Sequence, residues 1–171
     1  MTTPIIVTGP QRSGTTLAAQ ILSHDFGYTY VDESEYNPKT LPSNAVVQAP
    51  FLLKCVLELS YLLPTASFVF MYRDKQEIVK SMKRIQWYKD LIQDPLFYTN
   101  YVNHCYDYIS LLESTLPSTR WKRLNYSDLT YHPLFVKDRK NFTVRQWQTN
   151  RPVGDNTWRN HESARTYQVR L

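Results

Sequence analysis

Apolar residues fall in short unbroken runs set between polar turns, the pattern of strands buried on both faces. The clearest runs are Ile5-Ile6-Val7, Ala45-Val46-Val47 and Ser67-Phe68-Val69-Phe70-Met71-Tyr72. Tyr28-Thr29-Tyr30-Val31 and Trp121-Lys122-Arg123-Leu124-Asn125 predict two further strands. Helical stretches lie between them. Thr15 opens Leu17-Ala18-Ala19-Gln20-Ile21-Leu22, which stops at Ser23-His24-Asp25-Phe26-Gly27 with Gly27 as the C-terminal signal and His24 in a structural role. Pro50 suits the first position of a helix running to Leu63, apolar on most sides and so expected deep in the domain. Ile78, Val79, Met82 and Ile85 form a stripe at helical spacing.

An aromatic-rich region, 87–116, is expected to be helical after Pro95, with Val102, Cys105, Ile109 and Leu112 as its buried stripe. Tyr98, Tyr101 and Tyr108 flank that stripe, either as core-helix tyrosines or as the lining of a cleft. Tyr126-Ser127-Asp128-Leu129 reads as a continuation of the last strand, with Ser127 or Asp128 able to cap a short helix. Residues 36–43 form a loop, and no regular structure is assigned from Asn150 onward. Strands alternating with helices predict one α/β domain over residues 1–171, with a short, mainly parallel sheet flanked by helices.

Composition narrows this picture. The chain has 171 residues, 42% hydrophobic and 20% charged, which suits one globular core and excludes a disordered chain. No apolar run approaches the roughly 18 to 20 residues of a membrane helix. The first apolar run has no basic flank, so no signal peptide is expected and the location reads as cytoplasmic. The sequons at Asn125 and Asn141 are then accidental, and Cys55 and Cys105 are expected to be buried thiols. The net charge of +5 favours anionic ligands but equally describes a basic solvated surface. Neither nucleic acid nor a membrane is expected as a partner. No Cys/His cluster has metal-ligand spacing, so no metal is expected.

The chemistry concentrates in Gly9-Pro10-Gln11-Arg12-Ser13-Gly14-Thr15-Thr16, between an apolar strand and a helix. Loop amides and a helix N-terminus make an anion site. The Gly9 to Gly14 spacing is that of a nucleotide-triphosphate P-loop, which would place Lys next. Thr15 stands there instead, and the cation is Arg12. That arrangement suits a shorter anionic group held without an obligatory metal.

This P-loop-like stretch resembles the 5′-phosphosulfate loop of the sulfotransferases, which use 3′-phosphoadenosine 5′-phosphosulfate (PAPS). Two more segments match the family in order. The strand ending in Arg73, followed by Ser81, resembles the 3′-phosphate motif. Ser81 lies about two turns into its helix, leaning back toward the end where Arg73 leaves the strand. Leu124-Asn125-Tyr126-Ser127-Asp128-Leu129, with Pro133 after it, resembles the Tyr-Glu-Asp-Leu segment whose Tyr lies near the nucleotide; Ser127 replaces the usual Glu.

Within the family, Pro50-Phe51-Leu52-Leu53-Lys54 followed by Arg73 and Ser81-Met82 is most similar to the tyrosylprotein branch, with carbohydrate enzymes close by. The catalytic His of the small-molecule branch is missing, because Val47-Gln48-Ala49-Pro50 occupies its place; Gln48 also replaces the catalytic Lys of the tyrosylprotein branch.

The resemblance implies PAPS as sulfuryl donor and a hydroxyl acceptor: a peptide tyrosine, a sugar or a small alcohol. It places Arg12, Ser13, Gly14, Thr15 and Thr16 on the 5′ side, Arg73 and Ser81 on the 3′-phosphate, and Tyr126 beside the nucleotide. Arg12 would also stabilise developing charge. An ungapped count to the branch's catalytic Glu leads to Glu33 as the base, with Glu35, Asp32 and His104 as alternatives. Two other readings stay open: a non-catalytic PAPS- or phosphate-binding protein, and a P-loop nucleotide kinase.

Overall fold

The computed structural model describes residues 3–85 and 94–135. The expectations for Trp87, Asn141 and the segment from Asn150 lie outside them. Five strands form one sheet: β1 (Ile5–Thr8), β2 (Thr29–Asp32), β3 (Ala45–Gln48), β4 (Ser67–Tyr72) and β5 (Trp121–Asn125). Their spatial order is β2-β3-β1-β4-β5, and every pairing is parallel. The helices are α1 (Thr15–Phe26), α2 (Val56–Leu62), α3 (Lys75–Arg84), α4 (Phe97–Thr115) and α5 (Tyr126–Leu129). Among the described residues no helix is long and apolar enough to cross a membrane.

The unbroken apolar runs are explained by two cores, one on each face of the sheet. Ile6, Val47, Phe68 and Phe70 pack with Val56, Ile78, Met82, Val102 and Ile109 from α2, α3 and α4. Ile5, Val7, Val46, Val69 and Met71 pack with Leu17, Ile21 and Leu22 of α1 and Leu129 of α5. Alternate residues of β1 and β4 thus serve opposite layers, so both faces of these strands are apolar over their central positions. This places β1 at the centre, with its C-terminal end at the point where the chain's crossovers diverge to either side.

Three local expectations are corrected. The helix from Pro50 to Leu63 is two pieces, a 3₁₀ turn (Pro50–Cys55) and then α2. Pro50 and Leu53 are the buried residues of the first piece, a three-residue spacing that a 3₁₀ turn brings to one side. The segment is also not deeply packed: Phe51, Tyr61 and Leu62 are 56%, 84% and 66% exposed. Secondly, β5 stops at Asn125, where its pairing with β4 runs out, and residues 126–129 turn into α5. Neither Ser127 nor Asp128 caps that turn; Asn125 stands at the cap and its Nδ2 donates to Asp128 Oδ2 at 3.0 Å. Thirdly, Cys105 is buried but Cys55 is exposed.

Gly27 ends α1 as expected, at φ 65, with the amides of Gly27 and Tyr28 bonding back to His24 and Ser23 carbonyls. Beside this end lies a buried polar cluster. His132 has no exposed side-chain surface, and its Nε2 lies 3.3 Å from Asp25 Oδ2. Its Nδ1 accepts the Leu134 amide at 3.1 Å, which puts the proton on the nitrogen facing Asp25. His24 Nδ1 stands 3.6 Å from the other carboxylate oxygen. Burial opposes ionisation of Asp25, but the bonds from His132 and His24 outweigh it and hold the carboxyl below its usual value. A depressed carboxyl stabilises the fold above its unfolded value and loses that contribution as pH falls through the folded one. Asp25→Asn should therefore cost roughly 1 to 3 kcal/mol near neutral pH. The difference should shrink toward zero in acid; urea denaturation at both ends of that range checks it.

Candidate anion-binding site

The site is built where β1 ends. The chain turns through residues 9–14 before α1 begins at Thr15. A Cβ on Gly9 would stand 3.0 Å from the Met71 carbonyl oxygen, so a glycine lets this turn lie against β4. Gly14 has φ 98, and its Cβ would meet the Tyr126 ring at 2.5 Å. Backbone and neighbour both demand glycine there. Arg12 adopts φ 70, a left-handed conformation that costs a non-glycine residue roughly 1 kcal/mol. Such strain persists only where surrounding contacts hold it.

Those contacts come from the other two motifs. Arg12 Nε donates to Ser81 Oγ at 3.2 Å, and the Arg12 carbonyl accepts from an Arg73 terminal nitrogen at 3.1 Å. Arg73 Nε pairs with Glu77 at 2.9 Å, and its guanidinium carbon lies 4.1 Å from the centre of the Tyr126 ring. Arg12, Arg73, Ser81, Gly14 and Tyr126 are therefore one cluster, drawn from positions over a hundred residues apart in sequence. Ser13 and Thr15 are buried beside it, and Thr16 is exposed.

The cluster is rich in donors and short of acceptors. First-turn amides of a helix lack intrahelical partners, and the first turn of α1 carries no acidic residue. Ser13 Oγ and Gln11 Nε2 are buried without a hydrogen-bond partner. Burial, then the like charges of Arg84 and Arg73, lower the pKa of Arg12. Among the described residues no carboxylate forms an ion pair with Arg12 or Arg84. An anion entering here would meet unsatisfied donors and uncompensated positive charge together.

No protein-family model and no curated protein matches the chain.

Glu33 stands apart from the cluster. It follows β2, two strands away from β1, and its Oε2 accepts the Phe51 amide at 3.3 Å, at the start of the 3₁₀ turn. Burial raises its pKa, and the Phe51 bond works against that rise. Among the described residues no bond joins Glu33 to Arg12. Asp32 accepts from Tyr30 and Ser34, while Glu35 and His104 are exposed. Gln48 is buried at the end of β3, in register with Val7 on one side and Asp32 on the other.

Several neighbours of the site lie outside the three motifs. Arg84 lies three residues beyond Ser81, a helical neighbour that spacing alone could have found. A cleft of about 530 Å³ opens beyond Arg73 and Tyr126, bordered by Asp74, Glu77, Asn125 and Ser127. The tyrosines of α4 make chain contacts: Tyr98 is buried in the core, Tyr108 donates to the Lys54 carbonyl, and Tyr101 accepts the Gln11 amide. Tyr106, which no sequence signal singled out, meets the Arg73 backbone.

Proposed function

We propose that the protein is a sulfotransferase that moves a sulfuryl group from PAPS to a hydroxyl acceptor, whether peptide tyrosine, sugar or small alcohol. The supporting observation is a set of three contacts, Arg12 to Ser81, Arg73 to the Arg12 carbonyl and Arg73 over the Tyr126 ring, that gathers three separately recognised segments at one helix N-terminus. The orphaned Ser13 hydroxyl and the first-turn amides suit a 5′-phosphate, with Gly14, Thr15 and Thr16 alongside. Arg73 and Ser81 would take the 3′-phosphate, and Tyr126, packed on Gly14, would border the nucleotide. The donor supplies a sulfuryl group on a phosphate leaving group.

The chain's own residues then divide the work. Arg12 stabilises negative charge developing at the transferred group and the leaving oxygen. Glu33 removes the acceptor's proton, a task for which burial has raised its basicity. A second reading, a non-catalytic binder of PAPS, is favoured by one observation: Glu33 is engaged with the Phe51 amide rather than with the arginines. Turnover assays across acceptor panels separate the two.

The cofactor assignment has its own test. Adenosine 3′,5′-bisphosphate should stabilise the fold by about 2.7 kcal/mol at a hundredfold excess over its Kd, without added magnesium, and ATP far less. Arg73→Ala should weaken the bisphosphate roughly 10- to 100-fold, the value of a charge-assisted bond, and leave adenosine 5′-monophosphate nearly unchanged. Calorimetry that finds equal losses for both ligands removes Arg73 from this role.

A further inference from the structure

Both arginine-bearing segments are tied to the same helix. Tyr101 of α4 accepts the backbone amide of Gln11, next to Arg12, at 3.2 Å. Tyr106, little more than a turn further on, accepts the Arg73 amide at 2.9 Å and donates to the Arg73 carbonyl at 2.8 Å. β4 ends at Tyr72, so the peptide groups of Arg73 have left the sheet and its ladder no longer fixes them. One hydroxyl replaces that ladder on both sides of a single residue.

The Tyr106 ring is itself held. It is 7% exposed and stacks on Tyr72 at 5.2 Å, with 14° between the planes. Tyr72 in turn donates to Glu113 of α4, and Lys75 donates to Asn103 of the same helix at 2.8 Å. Burial keeps the Tyr106 hydroxyl protonated, so its donor is not lost at ordinary pH. By contrast, the direct link between the two segments, from Arg73 to the Arg12 carbonyl, is an exposed side-chain contact.

We infer that α4 is the gauge of this site: the Tyr101 and Tyr106 hydroxyls set the separation of the Arg12 and Arg73 segments, and thereby select ligands by the spacing of two anionic groups. The inference rests on the proposed reading that both segments meet one bisphosphate ligand. Tyr106 is a positioning residue here, acting through the Arg73 backbone. A merely structural tyrosine would lower stability and weaken every ligand alike. A gauge changes the ratio between ligands.

Calorimetric titration with adenosine 3′,5′-bisphosphate, adenosine 2′,5′-bisphosphate and adenosine 5′-monophosphate reads that ratio. The native protein should prefer the 3′,5′ isomer. Tyr106→Phe should narrow the preference about five- to tenfold, the value of a hydrogen bond or two, with monophosphate affinity held within about twofold. Tyr101→Phe acts on the other arm, so it should narrow the preference and also weaken the monophosphate. It serves as the test if Tyr106→Phe does not fold.

A native protein with no preference for either bisphosphate over the monophosphate overturns the proposed function and the gauge together. A native preference that both variants retain unchanged overturns the gauge alone.

Discussion

Glu33→Gln should leave nucleotide affinity unchanged and lower turnover by roughly 10² to 10⁴, the usual contribution of a general base. The substitution is chosen for what it keeps. Glutamine retains an acceptor oxygen for the Phe51 amide, so the 3₁₀ turn keeps its hydrogen bond and stability should barely move. What disappears is only the capacity to take a proton. The pH profile gives a second readout. Burial raises the Glu33 pKa, so the rate should climb with pH through a limb above the ordinary glutamate value, and that limb should vanish in the variant. The same shift disfavours the ionised form in the folded state, so stability should fall slightly as pH rises through that window. If Glu33→Gln retains full turnover across pH, the base lies elsewhere, with Glu35 and His104 next to be replaced.

Arg12→Ala should lower kcat/KM by roughly 10² to 10³, the size seen when a charge-stabilising donor is removed. Here binding and rate should fall together, because Arg12 stands in the proposed anion cluster, bonded to Ser81, before any chemistry begins. Arg12→Lys keeps the charge but loses the planar fork that reaches Ser81, and should recover only part of the loss. The backbone sets a limit on both variants. Residue 12 sits at φ 70 whatever its side chain, so the local strain remains and the change reads the guanidinium alone. A KM that rises while kcat stays constant would confine Arg12 to ground-state binding.

Much of this was legible in the sequence because it is local. β1, the turn glycines, β4 with Arg73 behind it, and Ser81 on α3 are each fixed by a few neighbouring residues. Their convergence could be expected only through the resemblance; the contacts between Arg12, Ser81 and Arg73 supply it physically. What escaped is long-range. The end of β5 depends on where β4 ends, and nothing within Trp121 to Leu129 announces that. The break in the segment after Pro50 follows from which side meets the core: an apolar composition predicted depth, but Phe51 and Leu62 face outward. Tyr106 looked like any helix tyrosine, because its role lies in the backbone of a residue thirty-three positions away. The partnership of Asp25 with His132 is invisible for the same reason.

The central position of β1 also has a consequence for how the chain is made. Ile5 pairs with Val46 on one side and with Ser67 on the other, about forty and sixty positions later. The first of these five strands to be made thus waits for the fourth before both its edges are paired. A nascent chain that has released β3 but not β4 presents one bare edge of an apolar strand, the kind of edge that seeks foreign partners. All-parallel pairings of this separation close slowly, since the intervening loops must be ordered before the contacts reward them. The candidate anion site at the tip of β1 is consequently a late product of folding, complete only after β5 and α5 have brought Tyr126 onto Gly14.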